Sequence, residues 1–279
     1  MRVLKLISLL LLFPAFLVVA SFVRVGAALF RLPRLKIASS LMKGFTTMLR
    51  ALLNVNITLD GPSDGLGAGG HFIVSNHLGY LDGIVLGSLF PVIFVTKRQV
   101  KRWPVIGQLL MLLGGIFVDR EDKKDILRIV GGISKLLRKK TNVLLFPEGT
   151  STNGETLLPF QSAFFAAPLT ARAIVVPVTL TYSLIDQQPV SAANRDRIYW
   201  YGDMSFAPHL WDLLGIKGIE VAVKVHPKIE TCELQNNSQG RKQLSQACHD
   251  VIGRGVSLEA GKRLEAPKFL SGRVRRQAY

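Results

Sequence analysis

The stretch IVSNHLGYLDGIV, residues 73–85, decides how the chain is read, because an apolar run stops at Asn76, Gly79 supplies a turn, and a second apolar run begins near Asp82. The first run, extended upstream as HFIVSN (71–76), is apolar on successive positions, as strands buried on both faces are. The second predicts a helix over 82–90, with Asp82 near its start. Strand, short turn and helix in succession are the repeating unit of an α/β fold. That reading stands His77 at the carboxyl edge of a sheet, where functional residues commonly gather.

The same grammar continues outward. NVNITL (54–59), VIFVT (92–96), GIFV (115–118), NVLLF (142–146), IVVPVTLTY (174–182), IYWYG (198–202) and IEVAVKVH (219–226) read as further strands. Helices are predicted over 104–113, 122–138, 162–172 and 238–254; the second of these opens on Asp122 and closes on basic residues, which suits the helix dipole. GPSDGLGAGG (61–70) is a turn between strands and not a phosphate loop, since it lacks the G-K-[ST] ending and opens no helix. With no internal repeat or long linker, the expected architecture is a single α/β sandwich domain with a mostly buried sheet flanked by helices, preceded by an N-terminal membrane-associated helical element. The divisions are 1–53 for the anchor and a basic amphipathic helix, 54–262 for the α/β domain and 263–279 for a basic tail, in which Glu265 is the only acid between Lys262 and Arg276.

The membrane expectation comes from composition and from where the charge lies. The 279 residues are 48% hydrophobic and carry a net charge of +16, and the mean hydropathy is +0.30. Apolar and basic together point to an anionic surface as partner. No acid precedes Asp60, and the early bases Arg2, Lys5, Arg24, Arg31, Arg34, Lys36, Lys43 and Arg50 are interleaved with Leu, Ile, Val and Phe. These neighbours are chiefly aliphatic and not the polar side chains that read base edges, and no nucleic-acid module is recognisable, so a membrane and not nucleic acid is the expected partner. Leu6 to Val23 is nearly all apolar and reaches roughly 27 Å as a helix, barely a bilayer's hydrocarbon thickness. A cleavable signal peptide is the rival reading, but the run exceeds an ordinary h-region and no clean A-x-A site follows. An uncleaved anchor is preferred, and the excess of bases beyond Val23 keeps the following domain on the cytoplasmic side of an inner or plasma membrane. Pro14 allows a kinked, re-entrant or interfacial form instead. From Ile37 to Leu53, the residues Leu41, Phe45, Met48 and Leu52 fall on one helical face, to lie in a membrane surface or to pack on the core.

The pair His77 and Asp82 has a direct chemical reading. If the loop folds back, the carboxylate accepts a hydrogen bond from one imidazole nitrogen and fixes the tautomer, and the other nitrogen is left to take a proton from a substrate hydroxyl. The bland alternative makes Asp82 a helix N-cap and His77 a satisfied loop residue. Cys232 and Cys248 form no C-x-x-C motif. The five histidines are dispersed, so no structural or catalytic metal is expected.

Four blocks in order resemble those of the glycerolipid acyltransferase family, whose best-known members are the 1-acyl-sn-glycerol-3-phosphate acyltransferases. NHLGYLD (76–82) resembles the catalytic block of a histidine, four residues and an aspartate. GGIFVDR (114–120) resembles the second block, whose arginine is associated with the acceptor's phosphate. FPEGTS (146–151) is similar to the third and VVPVTL (175–180) to the fourth, while FVTKRQVKRWPVIGQLL (94–110) looks like the segment between the first two. The resemblance runs from about Asn76 to Tyr182. It implies transfer of a fatty acyl group from an acyl thioester to the sn-2 hydroxyl of 1-acyl-glycerol-3-phosphate, giving phosphatidic acid in phospholipid synthesis.

On that resemblance His77 is the general base and Asp82 its orienter. Arg120 and Lys97, each following a strand, are candidate ligands of the acceptor's phosphate, the first bidentate and the second a point charge. Glu148, Gly149 and Thr150 form a third wall, with Gly149 allowing close backbone approach and Glu148 holding the loop. Neither a serine or cysteine nucleophile nor a G-x-S-x-G elbow is needed, so the hydroxyl attacks the thioester directly. No cofactor is implied; acyl-CoA or acyl carrier protein is a substrate, and Lys101, Arg102, Lys123 and Lys124 would attract either. In many family members an arginine follows the Glu-Gly-Thr of the third block, where this chain has Ser151. Some relatives acylate lyso-ornithine lipids, and serine would tolerate such a head group. Lysophosphatidate stays first because Arg120 and Lys97 remain. Two other classes are a non-catalytic lipid-binding membrane protein, which gives no reason for the His77 and Asp82 spacing, and a secreted hydrolase, which requires removal of the first twenty or so residues.

Overall fold

In the computed structural model of the chain the described residues are 1–62, 67, 69–103, 105–120 and 122–265, without the side chains of 123 and 257–265. The chain runs α1 (Arg2–Leu29), α2 (Arg34–Leu53), β1 (Val55–Asp60), β2 (Phe72–Ser75), α3 (Tyr80–Leu89), β3 (Val92–Lys97), α4 (Ile106–Leu112), β4 (Ile116–Val118), α5 (Lys123–Arg138) and β5 (Asn142–Leu145). It continues through α6 (Ala166–Ala171), β6 (Val175–Ile185), β7 (Gln188–Pro189), α7 (Phe206–Leu214), β8 (Ile219–Val225) and α8 (Ser238–Glu265).

The strands form one sheet in the order β1-β8-β6-β2-β5-β3-β4, with the short β7 hairpinned onto β6. The segment from β6 to β4 is parallel throughout. Strand β8 runs antiparallel to β6 and parallel to β1. The central strands β2 and β5 are buried at every residue, because helices cover both faces and leave no polar side to the pleat. At the margin β1 alternates buried and exposed positions, as a half-covered edge strand does. One core lies between the sheet and α2, α3 and α7; the other lies between the sheet and α5, α6 and α8. The expected α/β sandwich is therefore observed.

Parallel strands end on the same side. The carboxyl ends of β2, β3, β4 and β5 release His77, Lys97, Arg120 and Glu148 along one edge. Strand β6 overhangs that edge: its Val178 is level with Ser75, and seven further residues continue beyond it to Ile185. This overhang forms the back wall of the site.

Several elements differ from expectation. IYWYG (198–202) is a loop following a 3-10 turn at Arg195–Arg197. The loop is pinned through Trp200, whose backbone N–H donates to the Leu78 carbonyl at 2.9 Å and whose indole N–H donates to the Met204 carbonyl at 2.9 Å. Helix α7 lies outside the predicted helices, and it contains Pro208. In the first turn, however, the missing N–H has no helical partner to lose. The helix expected over 162–172 begins with a 3-10 turn, Ser162–Phe165. Helix α3 starts at Tyr80, two residues earlier than Asp82. In α2 the buried face is Met42, Phe45, Thr46, Leu49 and Leu53, and Met48 is 49% exposed. The helix is thus rotated from the predicted stripe, because its inner side meets α3, where Thr46 approaches Gly87. Residues 63–66 and 68 of the turn over 61–70, Pro104, the Lys123 side chain and the tail beyond 265 lie outside the described residues.

Helix α1 is 28 residues long and apolar enough to cross a membrane by length and composition, with only 17% of its most apolar window buried. It lies along the domain. Lys5 Nζ donates to the Ile216 carbonyl at 2.8 Å, and Arg24 Nη1 to that of Leu112 at 2.6 Å. Between these ties Phe13 and Phe16 pack on Phe45 at 4.9 and 4.4 Å between ring centroids. Its outward side, including Leu4, Leu10, Leu11, Val19 and Phe22, is exposed.

Candidate active site

The β2–α3 loop is built around one carboxylate. Asp82, with no exposed surface, occupies the third position of α3, where its side chain reaches back to the start of the helix. Its Oδ2 accepts the backbone N–H groups of Leu78 at 2.6 Å and Gly79 at 2.9 Å, and lies 2.8 Å from His77 Nδ1. The capping role and the partnership with His77 are therefore not alternatives; the same oxygen serves both. A carboxylate only accepts, so Nδ1 carries the proton, and among the described residues the lone pair of Nε2 has no partner.

The histidine is held on its other sides too. Its ring stacks on Phe146 at 4.0 Å between centroids and 11° between planes. Its backbone N–H donates to Glu148 Oε1 at 2.7 Å, and its carbonyl accepts from Thr152 N–H at 2.9 Å. The second oxygen of Glu148 accepts from Leu158 N–H at 2.9 Å. Glu148 thus ties the β2–α3 loop to two points of the loop that follows β5, as expected of a loop holder, and is 6% exposed. Burial raises its carboxyl from the ordinary 4.5 to about 7 against the pull of these two backbone donors, with the charge of Asp82 adding to the rise.

Two residues of the site were not singled out from the sequence. Asn76 pairs with the backbone of Leu180 in both directions, Nδ2 donating at 2.9 Å and Oδ1 accepting at 2.8 Å, which carries the β2–β6 ladder one step past the strand end. Tyr182, fully buried, donates from its hydroxyl to Asp82 Oδ1 at 2.9 Å. The signal for Tyr182 lay in its strand, IVVPVTLTY, whose last residue is the only one with a long polar reach.

The cations stand along the same edge. Arg120 is half-buried, and among the described residues its Nε and Nη1 have no hydrogen-bond partner although they are shielded from solvent. Burial lowers its pKa to about 10. Lys97 is also held below its ordinary value, first by partial desolvation and then by the charge of Arg120. Two adjacent cations, one with buried donors unused, suit an anionic ligand. Gly149 has a φ of +85°, and a Cβ there would come within 2.6 Å of Arg120 Nη1, so the backbone approaches the guanidinium as only glycine allows. Thr150 is exposed at the rim. Ser151 turns away: its hydroxyl donates to the Trp200 carbonyl at 2.5 Å.

A histidine with a fixed tautomer beside two cations, one of them with guanidinium donors unused among the described residues, makes an acyl-transfer type of site, able to deprotonate a hydroxyl next to an anionic group. The chain belongs to the Acyltransferase family, whose model matches residues 56–181. It is 31% identical over 203 residues to the lyso-ornithine lipid O-acyltransferase of Rhizobium meliloti, covering 69% of this chain and 70% of that protein. It is 26% identical over 183 residues to the 1-acyl-sn-glycerol-3-phosphate acyltransferase of Neisseria gonorrhoeae, covering 66% and 69%. The fold is similar to the crystal structure of the 1-acyl-sn-glycerophosphate acyltransferase of Thermotoga maritima, with a TM-score of 0.58 and 18% identity over 95% of this chain and all of that one.

Proposed function

We propose that the chain is a membrane-associated O-acyltransferase that moves a fatty acyl group from an acyl thioester to the free hydroxyl of a lysolipid with an anionic head group, with 1-acyl-glycerol-3-phosphate first. The carrying observation is the pair Lys97 and Arg120, with buried guanidinium donors unused, on the sheet edge that also bears His77. A phosphate brings enough negative charge for both cations. His77 Nε2 takes the proton as the hydroxyl oxygen attacks the thioester carbonyl. The tetrahedral centre collapses with loss of the thiolate, to which the imidazolium returns the proton. Asp82 stabilises that imidazolium and holds its plane. The thioester is acyl-CoA or acyl carrier protein.

Helix α1 supports an in-plane attachment. It is tied to the domain near both ends, so its exposed apolar side and the catalytic edge belong to one rigid unit, and a helix lying in the lipid surface presents that side to the acyl chains. This keeps His77 next to an acceptor that never leaves the membrane.

A second reading, O-acylation of a lyso-ornithine lipid, is favoured by the Rhizobium meliloti relative and by Ser151, whose hydroxyl is spent on Trp200 and adds nothing for a phosphate. Radiolabelled acyl transfer by purified protein to both lysolipids separates them. His77→Ala should lose about 100- to 10,000-fold in turnover on either, as removal of a general base does; loss of less than threefold would end the mechanism. Arg120→Ala should raise KM for lysophosphatidate more than it lowers kcat. Equal losses on both acceptors, or good turnover of the ornithine lipid alone, would assign the second reading.

A further inference from the structure

Lys97 and Arg120 are brought together at a short edge pairing of the sheet. Strand β4 has three residues and lies at one edge of the sheet, and Lys97 is level with Val118 in the parallel pair. Like charges repel at the end of that short ladder, and only three residue pairs resist a splaying of the two strand ends.

The restraint lies one residue from each cation. Arg98, which follows Lys97, makes an ion pair from Nη1 with Asp119 at 3.2 Å, and from Nη2 with Asp125 at 3.0 Å. Asp119 immediately precedes Arg120. The same Asp125 oxygen, Oδ2, accepts the backbone N–H of Asp119 at 2.7 Å. The other oxygen accepts Arg128 Nε at 2.8 Å and Nη2 at 2.6 Å, one turn along α5. Asp125 is 5% exposed, while Arg98 and Arg128 are 50% and 65% exposed, so the ion pairs are partly screened by solvent and the bond from the Asp119 N–H is the better shielded restraint. One carboxylate at the start of α5 therefore grips the chain on both sides of the cation pair.

We infer that Asp125 is a positioning residue of the acceptor subsite, locking the ends of β3 and β4 through Arg98 and the Asp119 N–H so that Lys97 and Arg120 face one anionic head group together. This rests on the reading of Lys97 and Arg120 as head-group ligands. The locked geometry means the cost of holding two cations side by side is met on folding and not when the lipid binds. A substitution at Asp125 then weakens acceptor binding without touching the histidine.

The test is steady-state kinetics of the full chain with lysophosphatidate and acyl-CoA in mixed micelles. Asp125→Asn should raise KM for the lysolipid about 5- to 20-fold, with kcat within about threefold and KM for the thioester unchanged, the pattern of lost binding common to ground and transition states. Asp125→Glu should recover part of the loss. Because Asp125 acts through Arg120, the double variant Asp125→Asn/Arg120→Ala should be within about twofold of Arg120→Ala alone; independent effects would multiply. Arg98→Met, at a half-exposed residue, serves where Asp125→Asn fails to fold, and should raise the same KM about threefold or more. If Arg120→Ala leaves KM unchanged, the head-group reading falls and takes this inference with it. If Arg120→Ala raises KM but the Asp125 and Arg98 variants do not, or if the double variant shows multiplied losses, Asp125 is a fold residue only and the inference alone is overturned.

Discussion

Tyr182→Phe removes one oxygen from the centre of the site and nothing else. Asp82 Oδ2 keeps its three donors, the His77 ring and the Leu78 and Gly79 N–H groups, while Oδ1 loses the donor that held it at 2.9 Å. Both side chains are without exposed surface, so water does not readily replace the hydroxyl. A hydrogen bond to a charged group contributes about 1.5 to 3 kcal/mol, and an orphaned buried oxygen sits at the upper end. For a domain of this size that lowers Tm by about 3 to 12 °C. The catalytic effect is smaller, because the oxygen facing His77 is still anchored. Loss of orientation of the carboxylate plane worth about 1.4 kcal/mol lowers kcat about tenfold, with KM for both substrates unchanged. Thermal melts and acyl-transfer kinetics on the same preparation measure both. Wild-type kcat together with an unshifted Tm would refute the role given to this hydrogen bond, and a raised acceptor KM with unchanged kcat would move Tyr182 into the lipid subsite.

Glu148 predicts a pH dependence. The folded state holds the proton up to about 7, whereas the unfolded chain releases it near the ordinary 4.5. Between those values the folded state binds more protons, so stability is greatest below the window and falls as pH rises through it, by on the order of 3 kcal/mol. Denaturant midpoints from pH 4.5 to 8 should show this decline and Glu148→Gln should remove it; an equal slope in the variant would assign the decline to other groups. For the membrane, Leu10→Glu and Phe22→Glu alter residues of α1 that are 64% and 74% exposed. Together they should reduce sedimentation with anionic vesicles by about tenfold or more, with Tm unchanged, since each lost apolar contact with lipid is worth about 1.5 to 3 kcal/mol. Undiminished vesicle binding would place the lipid-facing surface elsewhere.

What could be read from the sequence was local. The run from HFIVSN into DGIVLGSLF carries its strand, turn and helix in neighbouring residues, and a histidine five positions before an aspartate can meet it within a single loop, as the 2.8 Å contact shows. Strand ends followed by Lys97 and Arg120 announced cations at a sheet edge for the same reason. Helix boundaries that depend on a partner were less legible: α2 turned a different face inward because α3 lies beside it, and IYWYG became a loop because Trp200 bonds to the β2–α3 turn.

The rest belongs to the tertiary structure. Tyr182 stands one hundred residues from Asp82 along the chain, and only the placement of β6 beside β2, with its overhang past Ser75, brings the hydroxyl to the carboxylate. Arg98, Asp119 and Asp125 meet because β3 and β4 are neighbours and α5 starts at their end. Residue pattern fixes which stretches are extended or helical, since that is settled within a few residues by sterics and by alternation of apolar side chains. Which strands become neighbours is settled by burying both faces of the whole sheet at once, a balance summed over distant segments that no local window contains.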